Sequence, residues 1–414
     1  MATARRGLRV VVIGGGVGGL CLAQGLRKAG VDVSVHERDD SIRGRNQGYR
    51  LHISQDGERA LRECLPERVQ TLLTATANSR YGFGMANYDE HLTPQWTPEM
   101  SDPRAGQADK VDAVDRVTLR KVLLAGLTDA VHFGKRYTHH EVQPDGTVAV
   151  QFADGSVDTG DVLVAADGAN SGIRRARGGA EPRDLGVRTI FGRIPMTARL
   201  RAELPEILQD RFTWVIGSDE HKLGLMPMVF RTEPATASAR LWPELAFEPC
   251  DDYFMSVFSM HRTATGMPDE QFLAMSGAAL WEFAKARTTG WHPHLRAIME
   301  FADVEETFPV AVRATAPIEP WEPGPVIPLG DAVHAMPPSG GVGANTALRD
   351  AATLTRELLA ADRGEQPVAL ASERYQTEML GYATDAVAMS LQVAKWSLKR
   401  IDFDESVLPA RVAG

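Results

Sequence analysis

The 414-residue sequence predicts an α/β fold: a parallel sheet with its helices, interleaved with a mostly antiparallel β domain and followed by a C-terminal helical segment. Three observations predict it. A strand-turn-helix-strand unit opens the chain. A second glycine-rich turn, running into a helix, stands at residues 330–345. Between them, from about residue 186 to 300, segments such as RFTWVIGSDEHKLGLMPMVF and YFMSVFSMHR read as antiparallel strands joined by polar turns, with helical patterning returning near 270–300.

Each element has a local reason. Residues 8–13, LRVVVI, form the short β-branched run of a buried parallel strand. From Val17, the spacing of Leu20, Ala23, Leu26 and Ala29 gives one apolar helical stripe, ended by Gly30, and VDVSVHE then alternates as a second strand. The turn between strand and helix supplies Gly14-x-Gly16-x-x-Gly19, with Val17 and Gly18 inside it. Gly14 permits the tight turn, Gly16 lets a pyrophosphate approach the backbone, and Gly19 allows close helix–strand packing. The helix start offers unpaired N–H groups to phosphates. Glu37 ends the second strand, where a carboxylate can accept hydrogen bonds from a ribose, and Arg38 follows as a further candidate contact. This is a Rossmann-type dinucleotide unit, and on these residues the dinucleotide is either NAD or FAD. Further on, TVAVQFADGSV turns as a hairpin at Asp154-Gly155, with a strand at 161–165, and 366–414 reads as one long helix or two shorter ones.

The second loop, GDAVHAMPPSGGVGANTALRD, repeats the logic at the other end of a long ligand. Gly330 lets the chain approach closely and Asp331 is placed to bond a polyol hydroxyl. Pro337 and Pro338 make a stiff, donor-poor turn that can lie against a flat ring. Gly340, Gly341 and Gly343 expose backbone N–H groups where a helix begins through Ala344 and Asn345, a nest that favours negative charge.

The motif order resembles the class A flavoprotein monooxygenases, the aromatic-hydroxylase type related in fold to para-hydroxybenzoate hydroxylase. Residues 330–341 are similar to their GD motif, GDAAHxxPPxxG, with Val333 in place of the second alanine; Asp167, Gly168, Ser171 and Arg174 match their DG motif, DGxxSxxR. Arg116 with Leu119 and Leu123 looks like their flavin-contacting arginine, and IRGRNQGYRLHIS resembles an arginine–glycine segment in which Arg45 is the candidate, with Arg43 and Arg50 as alternatives. The resemblance spans residues 8–365. It implies FAD, with the pyrophosphate at the first loop, the ribitol near Asp331 and the isoalloxazine against Pro337–Gly343. It implies nucleotide-binding segments at 1–80, 101–185 and 301–365, a substrate domain at 186–300 with an excursion at 81–100, and a helical segment at 366–414. The reaction it implies is hydroxylation of an aromatic or polycyclic small molecule, as in natural-product tailoring. NAD(P)H serves as transient reductant, and O₂ adds at the flavin C4a to give a hydroperoxide that transfers OH. Baeyer–Villiger oxygen insertion or flavin-dependent reduction on the same fold are the alternatives, and a non-catalytic escort protein is disfavoured by the DG and GD motifs.

The middle region concentrates Met196, Met226, Met228, Met255 and Met260. Met226, Met228, Trp214 and Phe254, with Pro337, are the candidates for a substrate pocket, against the alternative of a plain hydrophobic core. Arg193 and His221 read as surface residues, and His334 as structural. Because the cofactor carries the difficult step, no protein nucleophile is expected. A formal charge of −9 without a dense basic run argues against nucleic acid. Cys21, Cys64 and Cys250 are isolated, so the expectation is reduced thiols, no metal and a cytoplasmic chain, monomeric or homodimeric. No apolar run reaches the length of a membrane span, and Arg5-Arg6 precedes a strand rather than a signal segment.

Overall fold

The computed structural model describes residues 7–42, 44, 48–79, 84–97, 107, 109–398 and 400–403. The five-stranded parallel sheet runs in the order Val326–Pro328, Val162–Ala165, Arg9–Ile13, Asp32–His36, Val131–His132. Its strands are buried on both faces, which is why they are near-continuous Val, Ile and Leu. On one face, Val10, Val12, Val33 and Val35 share a core with Leu20, Leu22 and Leu26 of the helix Val17–Lys28 and with Leu348, Leu354 and Leu358 of the helix Gly343–Asp362. On the other, Val11, Ile13, Leu163 and Ala165 pack against Val148, Val150 and Phe152. Those three belong to the small antiparallel sheet Tyr137–Val142, Val148–Phe152, Val157–Gly160, which contains the expected hairpin.

The second large layer is a seven-stranded sheet in the order Asp303–Ala314, Arg183–Pro195, Tyr253–His261, Lys222–Met228, Phe212–Ile216, Met85–Asp89, Pro94–Gln95. All its pairs are antiparallel except Met85–Asp89 with Phe212–Ile216, which is parallel. The strand Asp303–Ala314 falls within the stretch expected to be the third nucleotide-binding segment, yet it pairs with Arg183–Pro195. The crossing back to the parallel sheet therefore comes after Ala314. Residues of alternate parity on these strands face opposite ways. Ile190, Ile194, Leu223, Leu225, Phe254 and Phe258 pack beneath the helix Gly277–Arg287 through Leu280 and Trp281. Phe191, Trp214, Met226, Met255 and Val257 form the opposite face.

The C-terminal segment is one helix, Val368–Leu398, of 31 residues. It lies against Gly343–Asp362, and its end borders the same space as the second sheet face. Among the described residues, no helix is long and apolar enough to cross a membrane, and no group of His, Cys, Asp and Glu is arranged to hold a metal ion.

Candidate active site

The first glycine loop has a separate constraint at each glycine. Gly14 has φ +114°, and a Cβ there would stand 2.2 Å from the Ala166 carbonyl oxygen. A Cβ on Gly19 would stand 2.2 Å from the Gly14 oxygen, so the helix can seat on the strand only without a side chain. Gly16 differs: a Cβ would meet nothing within 4 Å, because the residue opens onto a cavity. Gly16 is also the N-cap of Val17–Lys28 and gives it no side-chain cap, and the first turn carries no acidic residue. The helix N–H groups are thus left for something in the cavity.

Behind the loop lies a buried charge pair. Glu37 Oε2 accepts from the Gly15 N–H at 2.9 Å, and its other oxygen accepts from Asp39 N–H at 3.1 Å. The Arg120 guanidinium donates to Glu37 at 3.4 Å, to the Gly15 carbonyl at 2.9 Å and to the Ile42 carbonyl at 2.7 Å. Arg120 was not expected from the sequence. The signal was available, since it stands four residues after Arg116 on the helix Arg116–Leu124 and so on the same face. Asp115 caps that helix by accepting from Thr118 N–H at 2.7 Å, and it also accepts from the Tyr253 hydroxyl at 2.8 Å. Arg116 is turned into the cavity. Burial pushes its guanidinium down from the ordinary value, and the Asp331 carboxylate opposes that.

The late loop is held from below. Asp350, fully buried, accepts from the Gly330 N–H at 2.8 Å, from His334 Nε2 at 2.6 Å and from the Tyr382 hydroxyl at 2.7 Å. These bonds set Gly330, at φ +67°, so that Asp331 starts a short helix facing the cavity. Burial works against the His334 imidazolium, but Asp350 outweighs it and raises the pKa. A raised folded value contributes stability that is complete below the unfolded value, about 6.5 for histidine, and is lost as pH rises through the folded one. In denaturant unfolding, the stability gap between wild type and His334→Gln should therefore shrink on going from about pH 6 to about pH 9. A gap that widens with pH would contradict this pairing.

Arg174 ties the two late motifs together, donating to the Ala332 carbonyl at 3.2 Å and the Ala169 carbonyl at 2.8 Å. Ser171 caps the helix Gly172–Ala176, and Asp167 accepts from Gly172 N–H at 2.8 Å. Asn345 does not reach the cavity. Its amide donates to the carbonyls of His52 and Gly341 and accepts from Ser54 N–H, locking the loop to the strand Arg50–His52.

Both glycine loops border one cavity of ≈ 1480 Å³, larger than a site for a single drug-sized ligand. Gly14, Gly16, Val17, Gly18, Gly19, Glu37, Arg38, Arg116, Asp167, Gly168, Gly330, Asp331, Pro337, Pro338, Gly341, Gly343 and Ala344 line it. So does Arg50; Arg43 and Arg45 lie outside the described residues. The sheet face supplies the far wall with Trp214, Met226, Met255, Val257, Phe191 and Phe308. Two of the pocket candidates are elsewhere. Phe254 points to the opposite face of the sheet, and Met228 is sealed beyond the cavity among Tyr253, Phe230 and Tyr49. His221 is not a surface group, and Arg193 is half-buried. Arg193 lies over the Tyr253 ring and donates to Cys250 Sγ at 3.2 Å, and His221 is buried against Phe258.

An extended cavity with an uncapped helix start at each of two glycine turns has the shape and donors that FAD requires. Residues 7–390 match the family model described as FAD binding domain. The chain belongs to the FAD-dependent monooxygenases of the class A type. The flavoprotein is 30% identical to, and superposes with a TM-score of 0.81 on, the crystal structure of a provisionally assigned FAD-containing monooxygenase from Photorhabdus luminescens, covering 95% of this chain and 99% of that one. It is 32% identical over 420 residues to the dual O-methyltransferase/FAD-dependent monooxygenase elcB of Phaeosphaeria nodorum, covering 95% of this chain and 44% of that protein. The chain thus spans less than half the length of that relative. It is 26% identical to the FAD-dependent urate hydroxylase of Klebsiella oxytoca, over 84% of this chain and 80% of that one.

Proposed function

We propose that this chain hydroxylates an aromatic or polycyclic small molecule with O₂, using NAD(P)H as the reductant of its FAD, in the tailoring of a natural product. One observation carries the reading: the cavity is continuous from the glycine loop to an aromatic and methionine-lined sheet face, so a long cofactor and a flat substrate share one enclosure. The name of the urate hydroxylase supports a heteroaromatic substrate, and that of the fungal relative pairs oxygenation with O-methylation.

On this reading Gly16, Val17 and Gly18 would hold the pyrophosphate through their N–H groups, Asp331 would bond the ribitol, and the amides of Gly341, Gly343 and Ala344 would hold the ring system. Bound FAD, once reduced, supplies the activation of O₂; the chain's own groups bind, orient and keep water out. Arg116 and the start of the helix Gly343–Asp362, which has no side-chain cap, would lend positive potential to the bound ring system. The sheet face Trp214, Phe191, Met226 and Met255 is the substrate wall.

The test is NAD(P)H oxidation and O₂ consumption by the FAD-loaded protein across candidate phenols and polycyclic aromatics, with product mass measured. Substrate-stimulated oxidation with a product one oxygen heavier and its ring size unchanged is expected. A ring-expanded lactone, or a reduced product without O₂ uptake, would overturn the assignment. Asp331→Ala should weaken FAD binding roughly 10- to 100-fold, the loss of a charge-assisted hydrogen bond, read by titrating apoprotein with FAD. Unchanged affinity would remove Asp331 from the ribitol site.

A further inference from the structure

The substrate wall is apolar except along one row. Cross-strand pairing sets Lys222 opposite Ser259, Ser259 opposite Thr189, and Thr189 opposite Val310, so the four side chains share one face in a line across the sheet. All four border the cavity. The next row on that face, Gly224, Val257, Phe191 and Phe308, carries no polar side chain. Gly224 has a steric reason: a Cβ there would stand 2.5 Å from Trp214 Cζ3, so its absence lets the indole lie flat on the sheet. Lys222 Nζ sits over that indole, 3.3 Å from the ring centroid, and the Trp396 ring at the end of the C-terminal helix is 5.8 Å away.

Lysine is almost never buried unless it is paired. Lys222 is 2% exposed, and among the described residues no carboxylate is paired with it. Burial alone pushes its ammonium well below the ordinary value. The neighbouring hydroxyls of Thr189 and Ser259 are bonded to each other at 3.0 Å. An amine on an apolar wall with indole faces around it is costly to desolvate, and among the described residues no carboxylate offsets that cost.

We propose that Lys222 recognises an acidic oxygen, a phenolic hydroxyl or a carboxylate, on the edge of a planar aromatic substrate whose ring lies on the apolar row beside it. The inference rests on reading this cavity as the substrate site of a monooxygenase. With a phenol, the O–H bond breaks and the proton passes to Nζ, leaving a phenolate–ammonium pair of no net charge. A carboxylate arrives as the anion and the amine takes its proton from water. In the phenol case the ionised oxygen also enriches the ring that receives oxygen, so Lys222 would set both binding and reactivity.

The experiment uses the FAD-loaded protein and three probes of one shape: 2-naphthol, 2-naphthoate and 2-methoxynaphthalene. Wild type should bind the naphthol or the naphthoate roughly 10- to 100-fold more tightly than the ether, the range of a charge-assisted hydrogen bond. Bound naphthol should show the absorption and emission of naphtholate at neutral pH. Preference for naphthol marks a phenolic substrate, and preference for naphthoate a carboxylic one. Lys222→Met should bind the three probes alike and lose the naphtholate signature, while Lys222→Arg keeps the preference; retained flavin absorbance reports that each variant is folded. Equal binding of all three probes by wild type, or failure to bind either acidic probe, overturns the proposal without reference to any variant. Tight, ionised naphthol binding in a protein that shows no substrate-stimulated O₂ uptake would leave Lys222 in place and remove the monooxygenase reading instead.

Discussion

Gly14→Ala gives a protein that unfolds at lower denaturant and retains little FAD. The backbone there has φ +114°, and the added methyl would stand 2.2 Å from the carbonyl oxygen of Ala166 and 2.6 Å from its carbon. Both are main-chain atoms of the next segment, so no side-chain rotation relieves the clash. Strain of about 1–3 kcal/mol at such a backbone position and about 1–3 kcal/mol of overpacking place the loss at roughly 2–6 kcal/mol. Gly16→Ala is the informative partner. Its methyl meets nothing within 4 Å, so unfolding should change only by the N-cap preference of glycine over alanine, about 1 kcal/mol or less, while FAD affinity falls because the methyl occupies the space read as the pyrophosphate's. Urea unfolding and flavin titration on both variants separate the two effects. Wild-type FAD affinity in Gly16→Ala would move the pyrophosphate away from this turn.

Arg120→Met is the second large effect. The guanidinium is buried, and it holds the Gly15 and Ile42 carbonyls as well as Glu37. Removing it strands a carboxylate that also bonds the Gly15 N–H. Breaking a buried pair from one side costs about 3–5 kcal/mol, and the first glycine loop, gripped at Gly15 from both directions, should loosen its hold on FAD at the same time. Adding Glu37→Gln should recover part of the stability, because the uncompensated charge is gone. A double variant no more stable than Arg120→Met, measured by chemical denaturation, would show that the cost lies in packing and not in the stranded carboxylate.

The parts of the site readable from the chain were those whose meaning is local. Gly14, Gly16 and Gly19 sit between a β-branched strand and an apolar stripe, and a Cβ would clash with backbone at Gly14 and Gly19 but meet nothing at Gly16. Gly330, Asp331 and Arg174 were placed by short motifs in the same way. Asn345 was a subtler case: it belongs to the right loop but acts on the backbone at His52, Ser54 and Gly341 rather than on the cavity. Arg120 had a helical-spacing signal beside Arg116, but nothing in the chain indicates that Glu37 is the carboxylate opposite it.

The methionine-rich wall shows where such reading stops. Phe254 and Met255 are neighbours in one strand, and composition makes both candidates for a pocket. Only pairing with Met226 on one side and Arg193 on the other sets Met255 toward the cavity and turns Phe254 to the helices. Strand parity is a two-way choice that the partner strands make. The strand Asp303–Ala314 likewise joined a sheet that its position in the chain did not indicate.

Glycine spacing, β-branched runs and helix stripes were enough to specify two glycine-rich turns and an α/β frame, because backbone sterics and burial periodicity act within a few residues. That those turns open on one cavity, that Arg120 meets Glu37, and that Lys222 lies over Trp214 with no carboxylate beside it among the described residues came only with the folded chain. Each joins residues far apart in sequence, where strand register and burial, rather than local preference, decide which groups meet and which are left without a partner.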